Sequence, residues 1–89
     1  MSERIKLEFR VIKNIYNPIY IVHITDKLNF LDTYYISEYK GISKDNTSKL
    51  FYWLTSEFYA FKRYEFKTVD ECFSHIRAQY SSDNFEFIN

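Results

Sequence analysis

The residues of this chain best equipped for chemistry are its one cysteine, Cys72, and its two histidines, His23 and His75. Cys72 and His75 are three apart, which on a helix puts both on one side. There a thiol and an imidazole can share a metal ion or work as nucleophile and base. His23 is the one further group that could join them. The surrounding pattern favours a plainer role. Val69, Cys72, Phe73, Ile76 and Tyr80 recur at i, i+3, i+4, i+7 and i+11, so Cys72 falls on an apolar stripe, where a thiol packs as a small hydrophobe. No CxxC or HxxxH spacing accompanies it. Asp70 and Glu71 precede His75, but acidic residues in a first turn and a Glu–His pair at i, i+4 serve helix ends and surface pairing. A chain with one glycine cannot build a phosphate-cradling loop. The expectation is a non-enzymatic protein with no catalytic residue, no metal and no cofactor.

Binding chemistry is better represented. Residues 40–67 hold Lys40, Lys44, Lys49, Lys62, Arg63 and Lys67 against Asp45, Glu57 and Glu65. Residues 68–89 reverse the balance, with Arg77 against Asp70, Glu71, Asp83 and Glu86. The basic stretch also carries Phe51, Tyr52, Trp53, Phe58, Tyr59, Phe61, Tyr64 and Phe66. Several of these must reach the surface, because a strand with one solvated face cannot bury both. Exposed tyrosine beside lysine and arginine anchors protein interfaces. The same combination stacks unpaired bases and holds phosphates. Tyr52, Tyr59, Lys62, Arg63 and Tyr64 are the expected contact residues. The near-neutral charge of the whole chain ranks a protein partner above single-stranded nucleic acid or a nucleotide. Pairing of an exposed aromatic strand across a homodimer is the third reading.

These residues need elements to position them. Ile5, Leu7, Phe9 and Val11 alternate with Lys6, Glu8 and Arg10, a strand with one face on a core. Asn14 to Pro18 offers a turn, and residues 19–24 read as an apolar strand pairing back on the first. Residues 25–32 fit either a short helical turn or a packed loop. Residues 33–40 and 50–55 read as strands around a loop at 41–49. Residues 56–63 are undecided, and residues 64–66 are a short strand or a lead-in. Thr68-Val69-Asp70-Glu71 has the capping-box form, so a helix is expected over 69–80, followed by a last strand at 85–88. The expected architecture is one α+β domain over residues 1–89. It is an antiparallel sheet of four or five strands with one C-terminal helix on one face, in the order β-β-β-β-α-β.

Residues 52–55 (Tyr-Trp-Leu-Thr), followed by residues 64–72 (Tyr-Glu-Phe-Lys-Thr-Val-Asp-Glu-Cys), resemble small accessory proteins of tailed bacteriophages and mobile elements. In these an aromatic strand precedes a Phe-Lys-Thr-x-x-Glu-Ala entry into a short helix, and Cys72 stands at the Ala position. The resemblance covers about a third of the chain and carries over no functional residue, since the matched positions are structural. It implies an inhibitor or accessory protein that occupies a host protein of defence or metabolism. Hydrophobic residues are 46% and charged residues 27%, values at which a chain folds. No apolar stretch comes near the ~20 residues of a membrane helix. The charged opening MSERIKLEFR reads as no signal peptide, and a single cysteine cannot pair internally. The expected location is the cytoplasm, without membrane contact.

Overall fold

A computed structural model of the chain describes residues 4–27, 29–42, 47–59 and 61–89. Among these residues six strands and one helix follow one another as β1 (Ile5–Lys13), β2 (Tyr20–Thr25), β3 (Phe30–Ile42), β4 (Ser48–Ser56), β5 (Arg63–Phe66), α1 (Val69–Ala78) and β6 (Phe85–Phe87). The strands form one sheet in the order β5-β4-β3-β2-β1-β6. Neighbours from β1 to β5 pair antiparallel, each strand folding back on the one before. The α+β class holds, but the sheet is mixed and has six strands. β6 lies parallel to β1, with Ile5 opposite Phe85 and Leu7 opposite Phe87. The reason is the helix: α1 carries the chain across one face, so the returning strand meets the far edge running in the direction of β1.

Alternation along the strands sorts the two faces. Leu7, Val22, Ile24, Ile36 and Leu54 point to the helix side and are buried with Cys72 and Ile76 of α1. Phe73 meets Phe9 and Tyr20 edge-on, at centroid distances of 5.6 and 5.8 Å. Thr68 caps α1, its Oγ1 accepting from Glu71 N at 3.1 Å. The helix stops at Ala78, and Gln79 and Tyr80 close a tighter turn, each N–H reaching the carbonyl three residues back.

Of the range 25–32, whose residue 28 lies outside the described residues, the rest forms neither a helical turn nor a packed loop. Asp26 and Asn29 close a hairpin, with Asn29 N donating to Asp26 Oδ1 at 2.9 Å, and Phe30 already belongs to β3. The loop expected at 41–49 is shorter as well, since β3 runs to Ile42 and β4 begins at Ser48; residues 43–46 lie outside the described residues. β2 reaches β3 only as far as Ile36, and β5 reaches β4 only as far as Tyr52. Beyond those pairs β3 and β4 continue alone as a two-stranded ribbon. The chain therefore measures 56 × 24 × 24 Å, and its radius of gyration of 15.0 Å exceeds the ~12 Å of a compact domain this long. Gly41 lies on that ribbon under the Phe51 ring, where an added Cβ would come within 3.2 Å of Phe51 Cε2.

Two side-chain amides imitate peptide groups at strand edges. Asn17, whose bond to Pro18 is cis, accepts from Glu38 N at 2.9 Å and donates to Glu38 O at 2.7 Å, ending the β2–β3 ladder. Asn89 does the same to Phe9 at 2.9 and 3.0 Å, extending the β1–β6 pairing by one step.

Candidate functional site

Between α1 and the β3–β4–β5 side of the sheet lies a cleft of about 400 Å³. Strand register builds one wall. Tyr34 is opposite Ser56 and Leu54 opposite Tyr64, so these residues, with Asp32 two positions before Tyr34, share the helix side of the sheet. The helix supplies His75, Gln79 and Tyr80. The turn from β4 to β5 supplies Tyr59 and Lys62, and its shape is set by one hydroxyl. Ser56 Oγ accepts from Phe58 N at 3.1 Å and Tyr59 N at 3.3 Å and donates to Asp32 Oδ2 at 2.7 Å. Lys62 N donates to Tyr59 O at 2.9 Å and closes the turn. Asp32 Oδ1 accepts from Thr33 N at 2.7 Å, so the carboxylate is held from both sides.

Rings line the rest. His75 packs on Tyr64 at 4.5 Å and on Phe66 at 5.3 Å. Tyr34 and Tyr80 bring their hydroxyls to 3.5 Å. Burial pushes both phenols above their ordinary range; for Tyr34 the Tyr80 hydroxyl and then Asp32 add to the shift, and for Tyr80 Asp32 adds to it. Both stay neutral and offer hydroxyls rather than a base.

Ser56, His75 and Asp32 line one cleft; of the three only His75 stands out in the sequence, as a possible partner of Cys72. They are not wired as a triad. Ser56 Oγ donates its hydrogen bond to Asp32 directly, while His75 Nε2 lies 3.4 Å from Gln79 Nε2. A triad needs the imidazole between hydroxyl and carboxylate. In the sequence Asp32 is a lone carboxylate between Leu31 and Thr33, a pattern that does not by itself mark a site. Cys72 is fully buried, and that burial, with Glu71 nearby, pushes its thiol up to about 11. His23 cannot approach Cys72 or His75, because it faces the opposite side of the sheet and contacts Thr33 Oγ1 at 3.0 Å. Among the described residues no group of three or more His, Cys, Asp or Glu could hold a metal ion. No helix there is long and apolar enough to cross a membrane.

The five expected contact residues divide. Tyr59, Lys62 and Tyr64 meet at the cleft, all exposed. Tyr52 is half-buried in a separate hollow beside Tyr20, Glu38 and Val69. Arg63 lies on the other face, its guanidinium 3.7 Å from the Trp53 ring centroid. Trp53 stacks on Tyr39 at 4.3 Å and donates from Nε1 to Glu65 Oε1 at 3.2 Å. No family model matches the chain, and neither does any curated protein or solved structure.

Proposed function

We propose that this chain is a non-enzymatic binding module that seats a segment of a partner protein in the tyrosine-lined cleft. The convergence of Tyr59, Lys62 and Tyr64 with Tyr34 and Tyr80 around one hollow supports this reading. The volume lies in the range of ligand sites, and a tyrosine anchor gives large contact area at low entropic cost. Tyr59 and Tyr64 desolvate the contact and Lys62 meets the rim of the partner. The resemblance to phage accessory proteins supplies the partner class: a bacterial host protein, occupied or inhibited rather than processed.

The test is capture from a bacterial lysate by the tagged protein and by a folded Tyr59→Ala/Tyr64→Ala variant, each with and without nuclease. One protein recovered in near-equal amount, surviving nuclease and lost from the variant, is the expected result. Equal recovery by the variant overturns the assignment of the cleft.

A second reading is supported by the opposite face. Tyr39, Trp53 and Arg63 form a continuous stack there, with Phe51 beside Tyr39 at 5.8 Å. Such a platform suits the bases of a single strand, with affinity that falls steeply as salt rises. Capture abolished by nuclease favours this reading.

A further inference from the structure

We propose that the cleft is built to receive a guanidinium, so that the partner segment enters with an arginine side chain; this rests on the cleft being the docking site. Among the described residues Asp32 is the only carboxylate lining it, and its hydrogen-bond donors there are the neutral groups Ser56 Oγ, Thr33 N and, at 3.4 Å, Phe58 N. Hydrogen bonds from neutral donors orient the carboxylate without neutralising its charge. Around it stand Tyr34, Tyr59, Tyr64 and Tyr80. Tyrosine faces attract cations, and more strongly where water is displaced. One of them does so already: Lys62 Nζ sits 5.7 Å from the Tyr59 ring centroid.

Lys62 is exposed and on a flexible stem, so it is the resident cation that an entering side chain displaces. A guanidinium suits the site better than an ammonium. It is planar, stacks on rings, forks onto a carboxylate and is more weakly hydrated. An acidic guest fits poorly, since it would set its charge against Asp32.

Nuclear magnetic resonance titration with N-acetyl-arginine methylamide and its uncharged isostere N-acetyl-citrulline methylamide tests this. The arginine probe should shift the ring resonances of Tyr59, Tyr64 and Tyr80, and citrulline should bind about tenfold more weakly. Asp32→Asn should weaken the arginine probe by a similar factor, while Lys62→Ala should strengthen it. Because Asp32 also holds the turn, Lys62→Ala carries the test if Asp32→Asn fails to fold. The inference is overturned if the arginine probe shifts none of these rings. Equal binding of the two probes, or weakening by Lys62→Ala, also overturns it. Partner capture lost by Tyr59→Ala/Tyr64→Ala but retained by folded Asp32→Asn refutes the arginine inference and leaves the docking site standing. Capture unchanged in both refutes the docking site.

Discussion

At Cys72 and Tyr34 the fold holds protons that the unfolded chain would release. The folded thiol is pushed up to about 11 from its ordinary 9.0. Between those values the unfolded state binds fewer protons, so stability falls as pH rises through the window. Tyr34 acts in the same direction at higher pH. Melting temperature should therefore decline from about pH 9 upward, and Cys72→Ala should flatten the first part of that decline. At neutral pH, labelling of Cys72 by a thiol reagent should proceed only as fast as the molecule opens. Its apolar stripe made this burial legible in the sequence. Asp32 was not legible, because nothing local says that a lone carboxylate in a strand will face four tyrosines brought from β3, β5, a turn and the end of a helix.

Elements announced themselves where their signals are local. Thr68 and the 69–76 stripe specify α1 within a few residues, and the alternation from Ile5 specifies β1. Loss of the cap in Thr68→Ala should cost about 1 kcal/mol. Ile76→Ala, at a fully buried position, should cost about 3 kcal/mol, read from denaturant midpoints. The parallel pairing of β1 with β6 was illegible for the opposite reason: its partners are far apart in the chain, and β6 is only three residues long. The edge amides were equally hidden. Asn17 looks like an ordinary turn residue, yet it makes two backbone hydrogen bonds to Glu38. Asn17→Asp replaces a donor by a carboxylate oxygen facing a carbonyl. It should destabilise the protein by roughly 1–3 kcal/mol, and Asn14→Asp, which loses its donation to Pro18 O in the same way, should act in the same direction.

For the molecule as a whole, the decisive fact is that the sheet separates the tyrosine-lined cleft from the Tyr39–Trp53–Arg63 stack. Arg63 and Tyr64 are adjacent in sequence and point to opposite faces, as neighbours in any strand must. Both stand among the five expected contact residues, and they part because residues 63–66 are a strand. Trp53, the only tryptophan, lies on the face away from the cleft. Its emission therefore reports on one face alone. A partner segment or arginine probe in the cleft should leave tryptophan emission unchanged while moving tyrosine resonances. A single-stranded oligonucleotide on the Tyr39–Trp53–Arg63 stack should quench it, and added salt should restore it.

The pairing of β1 with β6 and Asn89, across 80 residues, bears on how the ribosome delivers this protein. The chain emerges β1 first, and each later strand through β5 can zip onto its predecessor as it appears. Leu7, Val22, Ile24 and Ile36 nevertheless stay uncovered until Cys72 and Ile76 arrive, and the outer edge of β1 stays open until Phe85 and Asn89 follow. A nascent chain free only as far as residue 68 would present an apolar, open-edged sheet to which neighbouring chains stick. Arrival of residues 69–89 is thus the step that covers this apolar face and closes this edge of the sheet.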